Sequence, residues 1–226
     1  MQQNFLLKKI AQRLTPNQRK FIAEVIGTFI VVALATGSVV IDAKLKGALG
    51  IPFIAFAPFV GVAIGVYAFN KISMAHFNPA VTIGFMITKH ITKIQLVYYL
   101  AAEIIGALLG SLFVKYMIGN EANLGANAPN YSFPIPIIFG IEVLATALLM
   151  AVILTVVHTK GLRGFSGIVI GGHSRTGYLI SIFHFRCFNE PCQIFGPCSA
   201  FWRSDNRFVA LLDCHFYWKF YHCVYL

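Results

Sequence analysis

Charge is scarce in this chain of 226 residues: Asp, Glu, Lys and Arg together make up 12%, and only eight of those side chains are acidic. With 58% hydrophobic residues and a mean hydropathy of +0.73, it lies outside the composition of a soluble globular domain. A soluble enzyme is excluded on that ground. Cysteine is missing altogether from the first 172 residues; all five cysteines (Cys187, Cys192, Cys198, Cys214, Cys223) and both tryptophans (Trp202, Trp218) come later. Four of the seven histidines also lie beyond Gly172. A single evolved domain rarely divides so sharply, so the two parts are read separately.

What is present before Gly172 is a set of long apolar runs. Residues 21–41 carry one charge, Glu24; 49–69 carry none; 94–114 carry only Glu103; 135–157 carry only Glu142. Each reaches the roughly 20 residues needed to cross the hydrocarbon. None shows strand-like alternation, and lipid tolerates only helices or closed barrels, so four helical spans are expected. A fifth span begins at 164–172 and meets His173, Ser174 and Arg175 half-way across. The net charge of +10 is read as a topology signal and not as nucleic-acid binding. Lys8, Lys9, Arg13, Arg19 and Lys20 precede the first span and place residues 1–19 in the cytoplasm. Lys160 and Arg163, after four crossings, return to that side. The first apolar run is too long for a signal peptide, and no small-residue cleavage site follows it. Gly61 and Gly65, and again Gly106 and Gly110, form small-xxx-small pairs suited to close helix packing.

Between the second and third spans lies SMAHFNPAVTIGFMI, residues 73–87. Asn78 is a good N-cap and Pro79 suits the first helical position, but the helix over 78–88 is too short to cross. It reads as a re-entrant half-helix that stops inside the membrane. Irregular backbone at that depth must be buried in protein or line a water-filled cavity.

The string AHFNPAVTIGF between two spans resembles the first signature of the major intrinsic protein family, the aquaporins and aquaglyceroporins. Glu24 in AEVIGTF is similar to the family's first helix. Glu24 and Thr28 recur as Glu142 and Thr146 in the fourth span, as an inverted repeat would require. The resemblance covers residues 20–172. It implies an all-α membrane protein, an aquaporin-like right-handed bundle of six helices with two half-helices, assembled as a homotetramer in the cell membrane. It implies a passive channel for water or small uncharged solutes such as glycerol. Asn78, Pro79 and Ala80 would line the pore at its NPA motif. Asn78 would offer its amide to a passing water, the preceding loop its carbonyls, and the half-helix N-terminus would repel cations. Glu24 and Glu142 would each orient the backbone of a pore loop, although a purely structural carboxylate reads equally well. Glu103 matches no motif. His76 is placed with the pore loop, with a satisfied structural histidine as the stronger reading. The constriction position of the second span falls at Phe59 or Pro58. No nucleophile-base pair, phosphate loop or metal cage precedes Gly172, so no catalytic residue, cofactor or metal is expected and the protein is not expected to be an enzyme.

The second repeat is where the pattern breaks. Residues 173–226 contain no NPA and no uninterrupted span, only Asn189-Glu190-Pro191-Cys192. Read one base forward, Phe188–Ile194 can encode Ser-Met-Asn-Pro-Ala-Arg-Ser, which contains the absent motif. Ser174–Tyr178 can then give VGLDI, Cys198–Trp202 ALLSG and Phe208–Tyr217 LWLYWTATFI, strings similar to the family's fifth helix, second loop and sixth helix in order. A one-base insertion in the codons near Gly171-Gly172 is the expected origin of this tail, which then leaves the second repeat incomplete. The alternative is a membrane-anchored metal or redox protein working through Cys187, Cys192, Cys198, Cys214, His215, His222 and Cys223. Their spacings match no compact zinc pattern.

Overall fold

A computed structural model describes residues 14–125 and 134–185. The expectations placed on residues 1–13 and 186–226, including the second motif and the cysteine-rich tail, lie outside the described residues. Within them every regular element is a helix. Four are long and apolar enough to cross a membrane.

Helix α1 (Pro16–Lys44) opens with a capping box, Thr15 bonding Gln18 N and the Gln18 side chain returning to Thr15 N, with Pro16 in the first turn. It ends in a tight hairpin. There Asp42 Oδ1 accepts from Leu49 N at 3.0 Å and Gly50 N at 2.7 Å, supplying the side-chain cap that α2 (Gly50–Ser73) otherwise lacks. Helix α3 (Pro79–Ile87) is the short one. Helix α4 (Lys93–Phe113) starts with a second capping box, Thr92 with Gln95, and runs on through a π-helical turn, Val114–Ile118. Lys44 at the end of α1 donates to the carbonyl of Ile118 and pairs with Glu121 at 3.8 Å, tying those two helix ends together. Helix α5 (Ile135–His158) is followed by a 3-10 turn and α6 (Ser166–Phe185).

Helix α1 is the hub, packed on both α2 and α4. The glycines explain how closely. A Cβ on Gly106 would lie 2.6 Å from the carbonyl oxygen of Val25, one on Gly110 3.0 Å from that of Phe29, and one on Gly61 3.2 Å from Val31 Cα. In lipid no hydrophobic effect drives helices together, so such backbone approach supplies the dispersion contact that holds them. Gly65 is the exception among the four glycines read as packing pairs. It faces a loop residue, Phe77, and not a helix.

Helix α6 runs past Gly172, where the sequence reading marks the start of a fifth span and then a break. No proline interrupts 173–185, and the turn around Ser174 is helical, its hydroxyl bonded to Ile170 O at 3.1 Å. The helix lies along α2, with Gly167 against Tyr67 and Gly171 against Phe59.

Candidate functional site

Helix α2 ends at Ser73, and the chain turns inward through five residues, the last of them the cap Asn78, before α3 starts. Met74, Ala75 and Phe77 all hold left-handed backbone, φ 69°, 54° and 50°. Each costs about 1–2 kcal/mol for a residue with a Cβ, so the surrounding structure must enforce the path.

Buried side chains on two helices do so. Glu24 of α1 is fully buried, and its carboxylate accepts from His76 N (3.0 Å, Oε1) and Phe77 N (2.8 Å, Oε2). Tyr99 of α4, 1% exposed, donates its hydroxyl to the carbonyl of Ser73 at 2.7 Å. Glu103, one helical turn along α4, accepts from Thr82 Oγ1 of α3 at 2.6 Å. The Phe77 ring drops into a slot between Gly27 of α1 and Gly65 of α2, which a Cβ at either glycine would obstruct. Phe69 closes it edge-on, 6.2 Å away.

Asn78 caps α3 with φ −152° and ψ 124°, its Oδ1 accepting from Ala80 N at 2.8 Å. That bond commits the amide's only acceptor to the helix. The Nδ2 group makes no hydrogen bond to a described residue and is left as a donor. Pro79, in the first turn, is buried; Ala80 and Asn78 are half-buried. The carbonyls of residues 74–77 accept no hydrogen bond from any described residue, so the segment presents one donor and a run of acceptors. Val81 and Phe85, on the apolar face of α3, pack with Ile91 and with Ile153 of α5 in one buried cluster.

His76 takes part through its backbone. Its ring is 4% exposed, stacked on Phe85 and tilted against Tyr99, both at 4.5 Å, with Nδ1 2.8 Å from Thr82 Oγ1. Its Nε2 is buried with no hydrogen-bond partner among the described residues, so the ring is packed as a structural histidine but is not fully satisfied. Glu142 is buried in α5, and Thr146 bonds back to its carbonyl at 2.8 Å. The loop that Glu142 would orient lies outside the described residues. Pro58 is buried inside α2, and Phe59 packs on Gly171 of α6. The other constriction positions that the resemblance implies also lie outside.

Three contributors escaped sequence reasoning. Gly27 carries no signal beyond its place in AEVIGTF. Tyr99 reads as one more aromatic of a span. Glu103 matches no motif, yet an acid at mid-span is a functional-site signal in itself, and it does meet the half-helix.

An all-helical bundle with membrane-length helices and a short helix starting inside it, its entry loop held by buried acids, defines a polytopic membrane protein of the channel type. Comparison with known proteins sharpens this. A family model described as major intrinsic protein matches residues 11–218. A glycerol uptake facilitator protein-like protein of Lactiplantibacillus plantarum is 36% identical over 68% of this chain and 70% of its own length. A probable aquaporin of Archaeoglobus fulgidus is 35% identical over 68% and 71%. Nodulin-26 of Glycine max is 31% identical over 87% and 73%. The X-ray structure of the aquaglyceroporin from Plasmodium falciparum superposes with a TM-score of 0.65 at 23% identity, covering 72% of each chain, which establishes likeness of fold. The chain belongs to the major intrinsic protein family. It is a multi-pass membrane protein of a class that forms passive channels for water or small solutes.

Proposed function

We propose that the loop 74–78 and the N-terminus of α3 form one wall of a pore for water or small uncharged solutes such as glycerol. The observation that carries this reading is the Asn78 donor beside a run of carbonyls with no hydrogen-bond partner among the described residues, at the mouth of a helix that starts inside the bundle. Such a ladder lets a molecule exchange its hydration for protein hydrogen bonds step by step. The α3 N-terminus adds a partial positive charge that opposes cations, the accepted account for aquaporin-type pores. Pro79 and Ala80 keep the entrance narrow, Glu24 positions the loop, and Glu142 does the same for its counterpart. Pro58 or Phe59 contributes to the constriction. No covalent chemistry is needed, so we read the protein as a channel and not an enzyme. The N-terminus faces the cytoplasm of a cell membrane, and four copies assemble.

The tail 173–226 is a frameshift product on this reading, and the chain as written does not complete the second half-pore. The family match running to residue 218 pulls the other way; the coding DNA around Gly172 decides between them. The channel reading is tested by Asn78→Asp in a chain with the restored frame. Cation leak or a fall in osmotic water flux in proteoliposomes is expected. Unchanged flux with ions still excluded would remove Asn78 from the pore.

A further inference from the structure

The geometry points to a transition-metal site made by His90 and His158, where the turn after α3 meets the end of α5. The two rings stand 5.5 Å apart between centroids at 80° to one another. The pair forms an edge-to-face contact, and its centroid separation also matches that of two imidazoles bound to one tetrahedral ion through nitrogens about 2.0–2.1 Å from it.

The neighbouring hydrogen bonds favour one tautomer of each ring. His158 Nδ1 lies 2.7 Å from the carbonyl oxygen of Leu154, which can only accept, so the proton sits on Nδ1 and the lone pair on Nε2. His90 Nδ1 lies 2.9 Å from Thr88 Oγ1. Thr88 has a single hydroxyl hydrogen, and Gly84 O at 2.9 Å and Phe85 O at 3.4 Å are both placed to accept it. With that hydrogen on a carbonyl, Thr88 accepts from His90, and in this tautomer the His90 lone pair is likewise on Nε2. Both rings thus carry the hydrogen bond from the distal N–H to an oxygen that fixes the tautomer and orientation of metal-bound histidines. Neither Nε2 bonds to a described residue, and both side chains are exposed.

The ligand class is a borderline divalent ion that imidazole suits, Zn²⁺, Ni²⁺ or Cu²⁺. Among the described residues no group of three His, Cys, Asp or Glu could share it. Two waters complete the shell, and the site is open and moderate in affinity. Lys89, on the same turn, is the nearby cation that the ion must tolerate. A bound ion would staple the turn after α3 to α5. His90 also touches Phe85 edge-on at 5.3 Å, and Phe85 stacks on His76. The staple therefore reaches the pore loop through two ring contacts.

The test is Zn²⁺ titration calorimetry on the full chain in detergent, its cysteines alkylated to silence the tail thiols. The unaltered chain is expected to show one more site than His90→Asn or His158→Asn. The two single variants and the double variant should share the same reduced stoichiometry, because each removes half of one site. Thr88→Val leaves both rings in place and should weaken that site about 10–100-fold. Full stoichiometry in either single variant, a loss of two sites in the double, or binding only at millimolar zinc would overturn the proposal. None of these readouts depends on whether the pore conducts.

Discussion

Replacing Glu24 by Leu removes the acceptor of two buried amides in one step. His76 N and Phe77 N belong to buried residues, and Glu24 is their acceptor. An unsatisfied buried N–H costs about 1–3 kcal/mol, so the loop would lose roughly 2–6 kcal/mol. The three left-handed residues, Met74, Ala75 and Phe77, hold back roughly 3–6 kcal/mol of backbone strain between them at about 1–2 kcal/mol each. The two quantities are of the same size, so the carboxylate is the difference between a loop that stays strained and one that lets go. Amide hydrogen exchange in nanodiscs measures this directly. Protection of the His76 and Phe77 amides should fall about 30-fold to 10⁴-fold. Thr82 N, bonded within α3 to Asn78 O, serves as the internal reference. Glu24→Gln should release one amide and not both, because its carbonyl oxygen accepts while its NH₂ opposes the second N–H. Unchanged protection in Glu24→Leu would refute the clamp.

The other predictions rest on single contacts. Gly27→Val drives a side chain into the Phe77 ring and should destabilise the fold by about 1–3 kcal/mol in a detergent unfolding titration, whereas Gly140→Val, where a Cβ meets nothing within 4 Å, should not. Tyr99→Phe keeps the ring but strips the bond to Ser73 O and should cost about 1 kcal/mol in the same titration; no loss would mean that water replaces the hydroxyl. The chain as written should show osmotic water flux no faster than empty vesicles, and a frame-restored chain should exceed it. Equal flux from the two would end the frameshift account.

How much could be read beforehand depended on whether a feature was local. The four spans and the short helix were legible because twenty apolar residues in lipid have one solution, and because Asn78 followed by Pro79 announces a helix start wherever it occurs. Boundaries were less so. Helix α1 begins at Pro16 and not near Phe21, since its capping box lies in polar sequence outside the apolar window. Helix α6 carried no break at Gly172 because helix continuation is local while the family pattern is not. The contacts that shape the loop were illegible for another reason. Gly65 follows a small-xxx-small spacing, yet it serves Phe77, and only the fold reveals that a ring from a loop takes the place of a helix there. His76 sits in the signature itself, and sequence alone leaves both a pore-loop and a structural role open to it. Its burial follows from Phe85 and Tyr99 closing over it, two residues that no motif connects.

Among the described residues, the hydrogen bonds and the ring slot that position Asn78 come from the first repeat. Glu24 and the Gly27 slot belong to α1, Gly65 to α2, Tyr99 and Glu103 to α4, and all contact the loop or α3 directly. Beyond residue 103 the supports among the described residues are apolar: Met150 lies against Gly84, and Ile153, with Leu149, Leu154 and Val157 of α5 and Ile170 of α6, packs on the Val81 and Phe85 face. All of them precede Gly172. Among the described residues, none of these contacts comes from after the suspected change of frame. The reading frame of the tail and the geometry at Asn78 are therefore separate questions. If the Glu24 clamp keeps its exchange protection in the chain as written while water flux is absent, the half-pore is built and the other wall is missing. If protection is already lost there, the tail disturbs the first repeat, and the independence argued here is wrong.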